Sequence, residues 1–128
     1  MAAVAERTGC CILCDVNNIY VSAHNHGWDV SSYLAALPPA VIGEIHLAGH
    51  SVRSLDDGST LCIDDHGPRV VAEVWELYRE TLERFGPVPT LIECDNDVPP
   101  LDVPLGEAEQ AGALLASAGQ EARSADTA

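Results

Sequence analysis

Four short apolar runs of this sequence each lead to a side chain that can bind a metal ion. Those four side chains are, in chain order, Asp15, His46, Asp64 and Glu93. Short apolar runs between turn residues predict buried strands, and helical patterns lie between several of them. Alternating strands and helices predict a parallel sheet, whose functional side chains gather at the carboxyl ends of its strands. The pattern therefore predicts one edge that carries several carboxylate and imidazole groups.

Further donor groups stand close to these four in the sequence. His66 follows Asp64 by two residues, and Asp95 follows Glu93 by two. Side chains two residues apart on a strand share a face, so each pair can reach one ion. Two carboxylates at a buried strand end are costly unless a cation neutralises them. The remaining candidates are Asn18, His26 and His50.

Each candidate also has a simpler interpretation when it is taken alone. A single histidine such as His46 in an apolar strand is usually a core residue, and Asp15 is also a good helix cap. The combination of donors from four strands favours a metal site over these alternatives. Structural zinc is disfavoured because no cysteine joins the cluster, and the histidines disfavour magnesium and calcium. Non-haem iron, manganese and catalytic zinc remain open, with room for more than one ion.

The predicted architecture is α/β, with about four βα units whose strands are parallel and in chain order. The predicted strands are Cys10–Val16, Val41–Leu47, Leu61–Asp64 and Thr90–Cys94. A polar loop is predicted after the first strand, and helices are predicted over Ser31–Leu37, 68–85 and Asp102–Ala118. We expect residues 1–8 to be frayed, residues 9–116 to form the domain and residues 117–128 to be a disordered tail.

Length and charge limit the possible functions. A chain of 128 residues is too short for a closed eight-stranded βα barrel, which requires roughly 200 residues or more, and four βα units are half of such a barrel. An open half-barrel exposes strand edges and an apolar face, so we expect it to self-associate or to bind a partner. The formal net charge of −14 argues against binding to nucleic acid or to anionic membranes. Without an apolar run long enough to span a bilayer, the sequence predicts a cytoplasmic protein.

The five cysteines form no recognisable metal or disulfide pattern. Cys11 and Cys14 have the spacing of a zinc or redox pair, but they lie in a predicted strand, where they face opposite sides. We therefore interpret the cysteines as small buried hydrophobic residues.

Five segments of the chain, in order, closely resemble one enzyme family. The segments are Cys14–Ala23, Asn25–Gly27, Gly43–His50, Ile63–Gly67 and Leu91–Asp95. The family is that of the multinuclear non-haem iron-dependent oxidative enzymes, long known as a domain of unknown function, which includes the methanobactin-biosynthesis oxidase. The resemblance covers roughly residues 9–116. It implies the C-terminal half of a xylose-isomerase-like TIM barrel.

The resemblance also implies a chemistry and a set of ligands. Family members use dioxygen and two or three iron ions to modify cysteine residues of ribosomal precursor peptides, usually with a small partner protein that presents the peptide. The iron ligands implied for this chain are Asp15, Asn18, His46, Asp64, His66 and Glu93. Additional or outer candidates are His26, His50 and Asp95.

The chain departs from the family in its length. Family members are about twice as long, and their first barrel half supplies further histidines and a glutamate. The sequence therefore predicts a truncated or partial oxidase that needs an N-terminal half-barrel. The alternative is a non-catalytic remnant, or a partner-binding subunit with an incomplete metal site.

Overall fold

The computed structural model describes residues 1–67 and 69–125. The helices are α1 (Ala2–Thr8), α2 (Val16–His26), α3 (Val30–Ala35), α4 (Ala72–Phe85) and α5 (Asp102–Ala125), with a 3-10 turn at Pro39–Val41. The strands are β1 (Ile12–Asp15), β2 (Ile42–Ala48), β3 (Ser51–Ser54), β4 (Thr60–Ile63) and β5 (Thr90–Glu93). The chain is thus a mixed α/β structure with a parallel sheet, as the sequence predicts.

Three strands form the parallel sheet in the order β1-β2-β5, with β2 in the centre. Asp15 lies opposite His46 across the first pair, and Leu91 lies opposite His46 across the second. Residues directly opposite one another in a sheet share a face. Leu13, Asp15, His46 and Leu91 therefore belong to one face of this sheet.

The other face of the parallel sheet forms the hydrophobic core. Ile45 and Leu47 of β2 are fully buried there against Val74 and Tyr78 of α4. Helix α4 presents these side chains because its apolar residues recur at helical spacing. By contrast, Leu13 and Leu91 on the first face are 47% and 45% exposed. Within the described residues, the first face is therefore covered less completely than the core face.

The prediction of four parallel strands in one sheet is wrong for the third strand. β4 pairs with β3 in an antiparallel hairpin, and these two strands form a separate sheet. The intervening segment closes a tight loop, in which Gly58 has a φ of +83° and Asp57 accepts hydrogen bonds from Ser59. Pairing β4 with β3 closes only a short loop and costs little loop entropy, whereas a parallel partner would require a long crossover connection. β4 therefore pairs with β3 rather than joining the parallel sheet.

Several predicted boundaries also differ from the structure. The segment predicted as a polar loop is helix α2, which begins where the Asp15 carboxylate accepts a hydrogen bond from the Asn18 N–H. The predicted helix 68–85 begins at Ala72, and Pro68 lies outside the described residues. Residues 2–8, predicted to be frayed, form α1, and α5 continues through Gly119 to Ala125, into the predicted disordered tail. Residues 126–128 of that tail lie outside the described residues.

The cysteine interpretation holds for part of the set. Cys14 and Cys62 are buried, but Cys10 and Cys11 are exposed, because β1 begins at Ile12 rather than at Cys10. Burial raises the pKa of the Cys14 thiol to about 11, so this thiol stays protonated at neutral pH.

Among the described residues, no helix has the length and hydropathy required to span a membrane.

The difference between the two sheet faces can be measured by truncating one side chain on each. We expect Ile45→Ala to lower the free energy of unfolding by about 2–5 kcal/mol, because it opens a cavity in a closed core. Leu13→Ala is the matched control and should cost less than about 1 kcal/mol, because Leu13 is half-exposed. Urea unfolding measures both, and equal losses would show that the Leu13 face is covered as well.

Candidate metal centre

The carboxyl edge of the parallel sheet brings three of the candidate ligands together. Asp15 ends β1 and Glu93 ends β5, while His46 lies between them on β2. The His46 Nδ1 atom is 3.1 Å from Glu93 Oε2. Parallel strands place their carboxyl ends at one edge, so side chains distant in sequence meet there.

Asp64 and His66 reach the same place from the other sheet. They follow β4 directly, and His66 has a φ of +50°, in the left-handed region. This conformation lets the chain turn just after Asp64, so that the imidazole lies among the carboxylates. The His66 Nε2 atom is 3.1 Å from Asp64 Oδ1 and 3.9 Å from Asp15 Oδ2. Its Nδ1 atom is 3.3 Å from Asp95 Oδ2 and 3.5 Å from Glu93 Oε2.

These contacts define two groups of three ligands that share His66. The first group is Asp15, Asp64 and His66, and the second is His66, Glu93 and Asp95. Within each group the donor atoms lie within 4.8 Å of one another. His46 adjoins the second group through its contact with Glu93. Five of the six principal candidates therefore meet at one place through carboxylate and imidazole groups.

The sixth principal candidate, Asn18, borders the first group. Its side-chain amide donates a hydrogen bond to Asp64 Oδ2 at 2.9 Å, and its backbone N–H donates to Asp15 Oδ1 at 2.8 Å. Asn18 thus holds two carboxylates of one group from the first turn of α2. Its carboxamide oxygen is an uncharged oxygen ligand that a metal ion beside these carboxylates can use.

Two of the outer candidates lie away from the cluster. His26 is exposed and stacks on Trp28, with ring centroids 4.9 Å apart, so it is not brought to the site. His50 is buried, and its Nδ1 atom is 2.9 Å from Asn17 Oδ1 rather than from a carboxylate. Burial lowers the pKa of His50 against the opposing effect of Asp64 and Asp65. The third outer candidate, Asp95, belongs to the second ligand group.

The charges at the centre perturb one another. Burial raises the pKa of Asp15, the Asn18 N–H opposes that shift, and Asp64 raises the pKa further. Burial acts to lower the pKa of His66, but Asp64, Asp15 and Glu93 more than offset it, so the pKa lies above the ordinary value. Carboxylates crowded around one imidazole are what a bound cation would neutralise. The donor set fits a divalent transition metal with mixed oxygen and nitrogen ligands.

Sequence reasoning missed three residues that support the cluster. Asn17 is fully buried and its amide donates to Asp64, while Glu44 Oε1 lies 3.5 Å from His46 Nε2. Ser51 donates to Asp65 from its backbone and its hydroxyl, which fixes the turn after β4 and lowers the pKa of Asp65. The one available signal was the polar pair Asn17-Asn18 directly after an apolar strand. This pair could be recognised as directed toward Asp64 only once the segment that carries it was known to be a helix.

A cavity of about 260 Å³ borders the site on the side of Asn18. It is lined by Asn18, Ile19, Ser22, Ala23, Trp28 and Tyr33. The lining is mostly apolar and includes two exposed aromatic rings. Asn18 therefore lies between this cavity and the carboxylate of Asp64.

Comparison with known proteins shows where the chain belongs. Residues 1–116 match the model of a protein family described as "RiPP precursor modification enzyme MbnB/TglH/ChrH". A UPF0276 protein of Anaeromyxobacter sp. (strain Fw109-5) is 55% identical over 118 residues, which cover 92% of this chain and 40% of that relative. UPF0276 proteins of Vibrio vulnificus (strain CMCP6) and Caulobacter vibrioides are 50% and 51% identical over 90% and 96% of this chain. The chain spans 39% and 43% of those two relatives.

The raised pKa of His66 predicts how the stability of the metal-free protein depends on pH. A histidine whose pKa is raised by folding stabilises the protein fully below its unfolded pKa of 6.5, and this stabilisation is lost as pH rises through the folded pKa. We therefore expect the thermal midpoint to fall as pH rises above 6.5, and His66→Gln to flatten this fall. An equally steep fall in His66→Gln would assign the dependence to another group.

Proposed function

The chain belongs to the RiPP precursor modification enzyme family MbnB/TglH/ChrH, and we propose that it provides the metal-binding edge of an iron-dependent oxidase of peptides. The observation that carries this proposal is the pair of three-ligand groups that share His66. Two overlapping groups of this kind would offer ligands to more than one ion. A single structural ion would need only one of them.

The donor types fit non-haem iron, manganese and catalytic zinc alike, and the family resemblance favours iron among these three. Asp15, Asp64, Glu93 and Asp95 supply oxygen, and His46 and His66 supply nitrogen. Bound iron would supply the redox chemistry with dioxygen that the family resemblance implies. The protein's own residues would hold the ions and fix the carboxylates, and Asn18 would act as a ligand or as a donor to Asp64.

We propose a precursor peptide as the substrate, modified at a cysteine residue. Membership in a family of RiPP precursor modification enzymes supports a peptide substrate. The cavity beside Asn18, with Trp28 and Tyr33 in its wall, offers an apolar surface next to the ligand groups. The small peptide-presenting partner protein implied by the family resemblance remains part of this proposal.

A complementary half-barrel is proposed to cover the open face of the parallel sheet. β1 and β5 each pair with β2 alone among the described residues, so both present an unpaired edge. A groove of about 410 Å³ lies between β5 and α5 and is lined mainly by apolar residues, including Leu91, Leu101 and Leu105. A strand added at β5 would cover these leucines and enclose the edge that carries Glu93. The resulting TIM barrel would have this chain as its C-terminal half.

The second candidate function is a non-catalytic subunit or remnant that binds a partner through the same open face. The exposure of Asp95 and Asn18 at the ligand groups favours this alternative for the chain by itself, because a redox centre needs an enclosed pocket. The two functions differ in whether covering the open face produces activity.

Metal binding tests the ligand groups directly. In an anaerobic iron(II) titration of the chain, we expect His66→Ala to weaken binding by at least about tenfold, because the substitution removes the ligand common to both groups. His26→Ala is the matched control and should bind as the parent does, because His26 is exposed and stacks on Trp28. Identical affinities in the parent and both variants would exclude the proposed centre.

Activity tests the half-barrel. We expect no dioxygen consumption by the chain alone with iron(II) and a cysteine-containing precursor peptide, and turnover once it is combined with the remaining portion of the Anaeromyxobacter relative. Leu91→Asp should abolish this gain of activity, because it places a charge on the face to be covered. Val52→Asp, at an exposed position on β3, is the matched control and should not abolish it. Turnover by the chain alone would contradict the need for a second half. An inactive but folded complex would favour the non-catalytic subunit.

A further inference from the structure

Two of the three buried polar residues in the described part of the chain lie side by side behind the ligand groups. The three are Asn17, His50 and Thr81, and Thr81 simply donates to the Leu77 carbonyl of its own helix. Asn17 and His50 instead bond to each other across separate elements, with His50 Nδ1 2.9 Å from Asn17 Oδ1. Buried polar groups are retained at a cost in desolvation, so this pair needs an explanation that helix geometry does not give.

The orientation of the Asn17 amide is fixed by its partners. The nitrogen Nδ2 faces the Gly49 carbonyl oxygen at 3.2 Å and also faces Asp64 Oδ1. Both partners can only accept, so both amide hydrogens must point at them, and Oδ1 must point at His50. Reversing the amide would place its oxygen against two other oxygens. The same reasoning assigns the His50 proton to Nδ1, because Oδ1 of Asn17 can only accept.

This chain of donors ends on a proposed metal ligand. His50 donates to Asn17, and Asn17 donates to Asp64 Oδ1, while Asn18 donates to Asp64 Oδ2. Both oxygens of the carboxylate are therefore held, and the Tyr20 ring packs 5.2 Å from the His50 ring and limits its rotation. Hydrogen bonds behind a ligand of this kind set its orientation and commonly change metal affinity by about 10- to 100-fold.

We propose that Asn17 is a positioning residue for the Asp64 carboxylate and that His50 acts through Asn17 rather than as a metal ligand. This inference rests on the proposed metal centre for its purpose. The hydrogen bonds from His50 to Asn17 and from Asn17 to Asp64 are observed in the protein itself. It assigns His50, which the sequence left open as an additional ligand, to the hydrogen-bond network behind the site.

The chain contains a matched control in Asn25, at the other end of α2. Its carboxamide donates to the Cys62 carbonyl and accepts from the Cys62 N–H, so it fastens α2 to β4 without touching a carboxylate. Asn17→Ala and Asn25→Ala each remove a carboxamide that bonds α2 to the β4 region. A merely structural role for Asn17 predicts that both variants lose stability and that neither changes metal affinity beyond this loss.

The experiment titrates the full chain anaerobically with cobalt(II) and follows its visible absorption, with urea unfolding measured in parallel. We expect Asn17→Ala to lose about 10- to 100-fold in cobalt(II) affinity with an altered spectrum, and Asn25→Ala to keep both. His50→Ala should weaken binding, and His50→Gln should restore it, because the glutamine amide can donate to Asn17. Parent-like affinity in both Asn17→Ala and His50→Ala would overturn the proposal.

A second measurement separates this proposal from the metal centre itself. Nitrogen-15 NMR of the imidazole in the metal-free protein reports which ring nitrogen of His50 carries the proton. We expect the Nδ1–H tautomer in the parent and its loss in Asn17→Ala. An Nε2–H tautomer in the parent would overturn the proposal even if metal binds. An absence of cobalt(II) binding together with the Nδ1–H tautomer would refute the proposed centre and support the network.

Discussion

The crowding of carboxylates around one imidazole is the constraint on which the rest of the structure depends. Asp15, Asp64, Glu93 and Asp95 each lie within 4 Å of a His66 ring nitrogen. Like charges at this spacing repel, and partial burial deprives them of the water that would otherwise screen them. The protein compensates with donors placed behind the carboxylates, of which the Asn18 amide and N–H are the clearest. Helix α2, which carries Asn18, therefore cannot shift without moving Asp15 and Asp64.

The sequence predicted the composition of the site better than its construction. Asp15 and Glu93 end their strands and His46 lies two residues before the end of its strand, as a short apolar pattern predicts. Asp64 and His66 were assigned to the same edge, and they do lie there, but they come from a hairpin. The sequence offered no measure of whether Leu61–Ile63 would pair with a distant strand or with its nearer neighbour Ser51–Ser54. That choice depends on tertiary packing and loop entropy rather than on local propensity.

Asn17 illustrates what a pattern cannot provide. Its role depends on the rotation of α2 about its axis, since a helix directs successive residues about 100° apart. Once Asp15 caps that helix, Asn17 and Asn18 point to different sides of Asp64, one into the core and one toward the cavity beside Trp28. A segment predicted as a loop assigns no direction to either side chain. Asn18 is a candidate from the sequence and from the family resemblance, whereas only the structure identifies Asn17.

The division of the ligands between two sheets has a consequence for the order of folding. The β3–β4 hairpin joins segments that are adjacent in the chain, and hairpins of this kind form within about 1–10 μs. The parallel sheet must bring Thr90 beside Ile45 across the intervening hairpin and helix, a contact of high sequence separation that forms slowly. We therefore expect Asp64 and His66 to reach their local turn before Glu93 arrives. Glu93 meets the charge of Asp64 only when β5 joins the parallel sheet, so we expect added salt or divalent cations to accelerate that step rather than the early collapse.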